Sequence, residues 1–122
     1  MAALCRALCG VSGFSAIGLG AYGAHGVDMS DYQKKVWERA TTYHLAHTVA
    51  ATAALGLPQR GSGRAATACT LASASFLGGN ALFSGSLYTF VLTGESAWAK
   101  VAPYGGGCLM LGWLAISASS VL

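Results

Sequence analysis

Residues 65–94 read AATACTLASASFLGGNALFSGSLYTFVLTG, thirty consecutive positions without Asp, Glu, Lys or Arg. A membrane helix needs about 20 mostly apolar residues, because the hydrocarbon core is about 30 Å thick and a helix rises about 1.5 Å per residue. This stretch is longer than that, so a helix here must tilt or protrude. Outward from it, charge is also absent from Ala7–Ala24, Ala40–Gln59 and Val101–Leu122, windows of 18, 20 and 22 residues. All eleven charged residues fall in four short islands, Met1–Arg6, His25–Arg39, Arg60–Arg64 and Glu95–Lys100. The partition predicts an all-α integral membrane bundle, a single domain over residues 1–122, with transmembrane helices at about 4–24, 41–57, 66–92 and 104–122.

Composition points the same way. Charged residues are 9% and hydrophobic residues 54% of the chain, against about 25% charged in a typical soluble domain. The net charge of +3 is scattered and forms no basic stripe, which argues against a nucleic-acid partner. The first window has the general plan of a secretory signal, with Arg6, an apolar run and small residues near Gly20–Ala24; it is read as a retained first span. Arg6, Arg60 and Arg64 fall on one side, and Lys34, Lys35, Arg39 and Lys100 on the other. That balance sets no orientation.

The second island is predicted to be helical. Asp28 or Ser30 can cap a helix start, with Asp31 or Gln33 three residues on. Met29, Tyr32, Val36, Ala40, Tyr43 and His47 then recur at helical spacing, and no Gly or Pro interrupts residues 27–55. An interfacial amphipathic helix leading into the second span follows. Gly56-Leu57-Pro58 stops it, and the short Gly-rich loop Pro58–Arg64 joins antiparallel neighbours.

Small residues recur along the spans: Ala16, Gly20 and Ala24; Ala72, Ser75 and Gly79; Gly105, Cys108, Gly112, Ala115 and Ser119. Such seams let helix backbones approach closely where no hydrophobic force drives association. The four cysteines, Cys5, Cys9, Cys69 and Cys108, read as small buried residues, although Cys5 or Cys9 could reach Cys69 as a disulfide.

Threading four spans gathers His25, His44, His47 and the four acidic residues at one end of the bundle. One expectation for this end is a structural polar cluster of His25, His44, His47, Asn80, Ser84 and Tyr88, since hydrogen-bonded polar groups join membrane helices. A weaker one is metal binding by His25, His44 and His47 with Glu38, or haem held by two histidines. No Glu-x-x-His and no Gly-x-Ser-x-Gly occurs, so the residues predict neither a catalytic constellation nor a required cofactor.

Four phrases carry a family resemblance. They are Gly20-Ala21-Tyr22-Gly23-Ala24-His25-Gly26; Trp37 with Ala40, Tyr43-His44 and His47; Leu82-Phe83-Ser84-Gly85-Ser86-Leu87-Tyr88 with Thr93-Gly94; and Ala102-Pro103-Tyr104-Gly105-Gly106 with Gly112-Trp113. In this order the chain resembles the small membrane family known as domain of unknown function 423. The resemblance implies four spans and no established activity. It implies a mitochondrial inner membrane for eukaryotic members and the cytoplasmic membrane for bacterial ones.

The favoured expectation is a structural or accessory membrane protein in the mitochondrial inner membrane, with lipids and other membrane subunits as partners, such as those of a respiratory complex. The alternatives are a small transporter or lipid-handling protein using the His-rich end, and a metal- or haem-binding membrane enzyme.

Overall fold

The computed structural model describes residues 1–57 and 63–122. Four long helices account for most of it: α1 (Ala2–Ala21), α2 (Asp31–Gly56), α3 (Gly63–Thr93) and α5 (Ala102–Ser119), with the single turn α4 (Ser96–Ala99) before the last. The expected stop at Pro58 and most of the Pro58–Arg64 loop lie outside the described residues.

Local chemistry explains the boundaries. α1 runs on into a π-helical segment, Tyr22–Gly26, before the chain extends at Val27. Gly23 is required there: a Cβ would land on the Trp37 indole. Ser30 caps α2, since the Gln33 amide donates to Ser30 Oγ at 3.2 Å and the Ser30 amide donates to Gln33 Oε1 at 2.9 Å. The chain thus uses Ser30 with Gln33 rather than Asp28 with Asp31. The interfacial segment and the apolar window beyond it form one unbroken helix of 26 residues. α3 stops at Gly94, whose φ of 74° only glycine adopts readily. Pro103 lies in the first turn of α5, where its missing N–H costs no bond.

The helices pack in the order α1–α2–α3–α5, with α3 the most heavily packed. The α3–α5 seam is built on glycine. A Cβ on Gly105 would strike the Phe83 backbone, one on Gly112 would come within 2.6 Å of the Phe76 ring, and one on Gly79 within 2.5 Å of Leu109. The stripes in α3 and α5 therefore meet each other within the chain.

Across α2–α3 the joints are polar. Ser84 Oγ donates to the Ala40 carbonyl at 2.7 Å, and Asn80 Nδ2 donates to the His44 carbonyl at 3.1 Å. Two apolar clusters flank these joints. One holds Met29, Trp37, Ala40, Tyr88 and Val91. The other holds Cys9, Ala50, Ala51, Ala54, Ala72, Phe76 and Leu109. The four cysteines are free, so neither disulfide considered for Cys69 is formed.

Candidate functional site

The buried polar residues reach from near the charged end of the bundle toward its middle: Tyr88 lies five residues before the end of α3, and His44 five residues beyond Arg39. His44 is 13 residues into α2, roughly 20 Å from its start at about 1.5 Å per residue. Asn80 is near the centre of α3, and Ser12 near the centre of α1 and its π-helical extension. α2 begins at Asp31, nine residues before Ala40, as expected for a helix that leads into the second charge-free window.

His44 is the hub. Its Nε2 lies 3.1 Å from Ser12 Oγ and its Nδ1 lies 3.3 Å from the Tyr88 hydroxyl. Ser12 Oγ is 2.6 Å from Thr48 Oγ1, and Thr48 donates to the His44 carbonyl at 2.7 Å. Tyr88 donates to Thr41 Oγ1 at 3.3 Å, and Thr41 donates to the Trp37 carbonyl at 3.0 Å. The Trp37 indole donates in turn to the Leu19 carbonyl at 2.8 Å.

Counting protons shows what this layer lacks. The imidazole and four hydroxyls take part in six hydrogen bonds. A neutral imidazole has one N–H and each hydroxyl has one O–H, which gives five protons. With the proton on Nε2, Tyr88 must choose between His44 and Thr41. With it on Nδ1, Ser12 must choose between His44 and Thr48. Asn80 donates to the layer and adds one more acceptor. Its two N–H groups go to the His44 carbonyl and, at 3.3 Å, to Thr48 Oγ1, while its buried Oδ1 has no partner among the described residues.

The layer borders a groove of about 640 Å³ between α1 and α3. Leu4, Leu8, Val11, Leu19 and Leu77 make its apolar walls, and Ser12, Ser15, His44, Asn80 and Tyr88 are its polar members, Ser15 Oγ donating to the Val11 carbonyl. Leu4 and Val11 are 62% exposed, so the groove opens sideways along α1.

The expected cluster divides accordingly. His44, Asn80, Ser84 and Tyr88 are buried together. His25, on the π-helical segment, is exposed, and its side chain makes no hydrogen bond among the described residues. His47 leaves the layer: its Nδ1 donates to the Tyr43 carbonyl at 2.8 Å, and its Nε2 accepts from the Trp113 indole at 3.3 Å. Glu38 is exposed on the first turns of α2. The candidate ligands His25, His44, His47 and Glu38 therefore do not converge, and no group of three His, Cys, Asp or Glu among the described residues is placed to hold a metal. Sequence reasoning missed Ser12, Thr41 and Thr48. The 3–4 spacing of Thr41, His44 and Thr48 was a usable signal, obscured by the many other hydroxyls of the chain.

Ser12 and His44 have the separation of a nucleophile and its base. Ser12, however, lies in mid-helix, where the backbone amides are committed to the helix, so no pair of free N–H groups faces it to stabilise an oxyanion. The arrangement is suited to holding a molecule by hydrogen bonds within an apolar wall.

These features define a small, charge-poor, all-helical membrane protein with a polar layer inside. The chain belongs to the family described as protein of unknown function (DUF423), whose model matches residues 19–106. It is 38% identical over 101 residues to a UPF0382 membrane protein of Staphylococcus aureus, covering 81% of this chain and 80% of that one. It is 32% identical over 113 residues to the UPF0382 membrane protein YwdK of Bacillus subtilis, covering 91% and 90%. A UPF0382 membrane protein of Haemophilus influenzae is 30% identical over 115 residues, covering 93% and 90%. No solved structure matches the chain.

Proposed function

We propose that the chain is a four-span membrane protein that works by binding an amphiphile from the bilayer in the α1–α3 groove, without catalysing a reaction. The observation that carries this reading is a lateral apolar groove with hydrogen-bonding groups at its middle depth. Residues 2–26 and 96–119 are long and apolar enough to cross a membrane by length and composition. α2 and α3 are more polar: the charged residues of α2 are exposed and confined to its first nine positions, and beyond them the hydroxyls are largely internalised. Thr67, Thr70, Thr89 and Thr93 each donate to the carbonyl four residues earlier. Ser84 and Asn80 bond across to α2. Backbone and side-chain groups satisfied in this way can enter hydrocarbon.

Docking as an accessory subunit, for example on a mitochondrial respiratory complex, has less to rest on. The stripes that suggested it are largely occupied within the chain, as Gly79, Gly105 and Gly112 illustrate. The relatives are bacterial membrane proteins, which favours a bacterial cytoplasmic membrane over a mitochondrial address.

Lipid retained by the purified protein tests the proposal. In native mass spectrometry from mixed-lipid nanodiscs, the wild-type protein is expected to keep a bound lipid that Leu8→Trp, at the groove wall, releases. Equal lipid retention by both proteins would sink the reading.

A further inference from the structure

The binding reading leaves open what kind of molecule fits, and the polar layer narrows it. We propose that the groove takes an uncharged, hydroxyl-bearing apolar lipid, whose O–H donates to Asn80 Oδ1. This inference rests on the proposed binding function and adds the chemistry that would be recognised.

The argument begins with Asn80. Its side chain is 4% exposed and lines the groove. Oδ1 is buried, with under 1 Å² of accessible surface, and has no partner among the described residues, so a donor from the groove reaches it when the α1 wall moves outward. The amide orientation is fixed, because exchanging O and N would set an oxygen against the His44 carbonyl, which now accepts from Nδ2 at 3.1 Å. No neighbouring proton is spare to satisfy Oδ1. Ser12, Thr41, Thr48, Tyr88 and a neutral His44 are already one proton short for the bonds they make. The layer therefore lacks a donor. A hydrocarbon, an ester or an ether supplies none. A quinone carbonyl also only accepts, whereas its reduced quinol donates.

Charge and depth remove other classes. An ammonium group would need a carboxylate, and all four acidic residues, Asp28, Asp31, Glu38 and Glu95, lie outside the polar layer, in the loops and first turns. Asn80 is roughly 20–25 Å from either end of α3 at about 1.5 Å per residue. A phospholipid headgroup, held at the membrane surface, does not reach that depth. A small uncharged hydroxyl does, and it can be carried by a diacylglycerol, a long-chain alcohol or a quinol. These share one chemistry, an O–H on an apolar skeleton.

The test uses the full chain in phosphatidylcholine nanodiscs with a diazirine-bearing long-chain alcohol and, separately, its acetate ester. The labelled residues are mapped by mass spectrometry. The alcohol is expected to label residues within 4–19 and 74–88 at least tenfold more than the acetate. Diolein and a quinol should compete, which identifies the source, whereas their acetylated forms should not. Asn80→Leu should abolish the preference for the alcohol while the acetate still labels weakly. Leu8→Trp, which leaves the polar layer intact, should block the groove to both probes and serves if Asn80→Leu fails to fold. Equal groove labelling by alcohol and acetate, as when a water satisfies Oδ1, overturns this inference and leaves the binding function standing. Absence of groove labelling by either probe, as when a second copy of the chain fills it, overturns both.

Discussion

At the scale of single residues, the three histidines are chemically identical and structurally unlike. His25 is exposed, His47 makes one cross-helix bond to Trp113, and His44 is bonded to Ser12 and Tyr88 on two other helices. Removing one partner from a buried hydrogen bond leaves the other unsatisfied, at about 1–3 kcal/mol. His44→Leu is therefore expected to destabilise the protein by about that much, because both Ser12 and Tyr88 lose a partner. His47→Leu should cost within about 1 kcal/mol, in the range of single interhelical bonds in membranes. Steric-trapping unfolding in bicelles measures both, and equal losses would show that the polar layer is not centred on His44. Sequence reading placed His44 correctly on a helix but could not separate it from His47. Residues three apart differ by 60° around the axis, enough for one to meet α1 and α3 and the other α5.

Elements follow simpler rules, and more of them were legible. Each charge-free window coincides largely with one of the four long helices. The windows do not mark where a helix starts, since α2 continues through its charged turns to Ser30. The capping box at Ser30 and Gln33 is worth about 1 kcal/mol in typical helices. Ser30→Ala should thus lower stability by about 1 kcal/mol and increase amide exchange in the first turn of α2. The small-residue stripes were legible as packing surfaces, but their partners were not, because a spacing does not say which helix it meets. Glycines in one run now differ by position. A Cβ on Gly105 strikes the Phe83 backbone, whereas Gly106 and Gly107 have nothing within 4 Å. Gly105→Ala is expected to destabilise the α3–α5 pair by about 1–3 kcal/mol, as overpacking does. Gly106→Ala and Gly107→Ala should be neutral or stabilising by up to about 1 kcal/mol, because alanine favours helix. Thermal unfolding of the three variants in detergent decides this; a loss common to all three would place the effect in the helix rather than the seam.

For the whole molecule, four spans would put Asp28 and Glu95 on one side of the membrane and both termini on the other. In a cysteine-free background, single cysteines at Asp28 and Glu95 should react with an impermeant maleimide from the same face, and one at Leu122 from the opposite face. A residue at 122 labelled together with 95 would remove one span. The packing order carries a mechanical consequence. α3 is fastened on two sides, to α5 by glycine seams and to α2 by Ser84 and Asn80. α1 is attached mainly along one edge, to α2, through Ser12, Gly20 and the Leu19 carbonyl. Toward α3 it has the groove, apolar contact around Cys9, and one side-chain hydrogen bond among the described residues, the long Cys9 Sγ–Ser73 Oγ contact at 3.9 Å. A helix fastened along one edge swings about that edge. Hydrogen exchange should find the amides of α1 opening ahead of those in α3, so that the groove breathes by the movement of one wall against a fixed one.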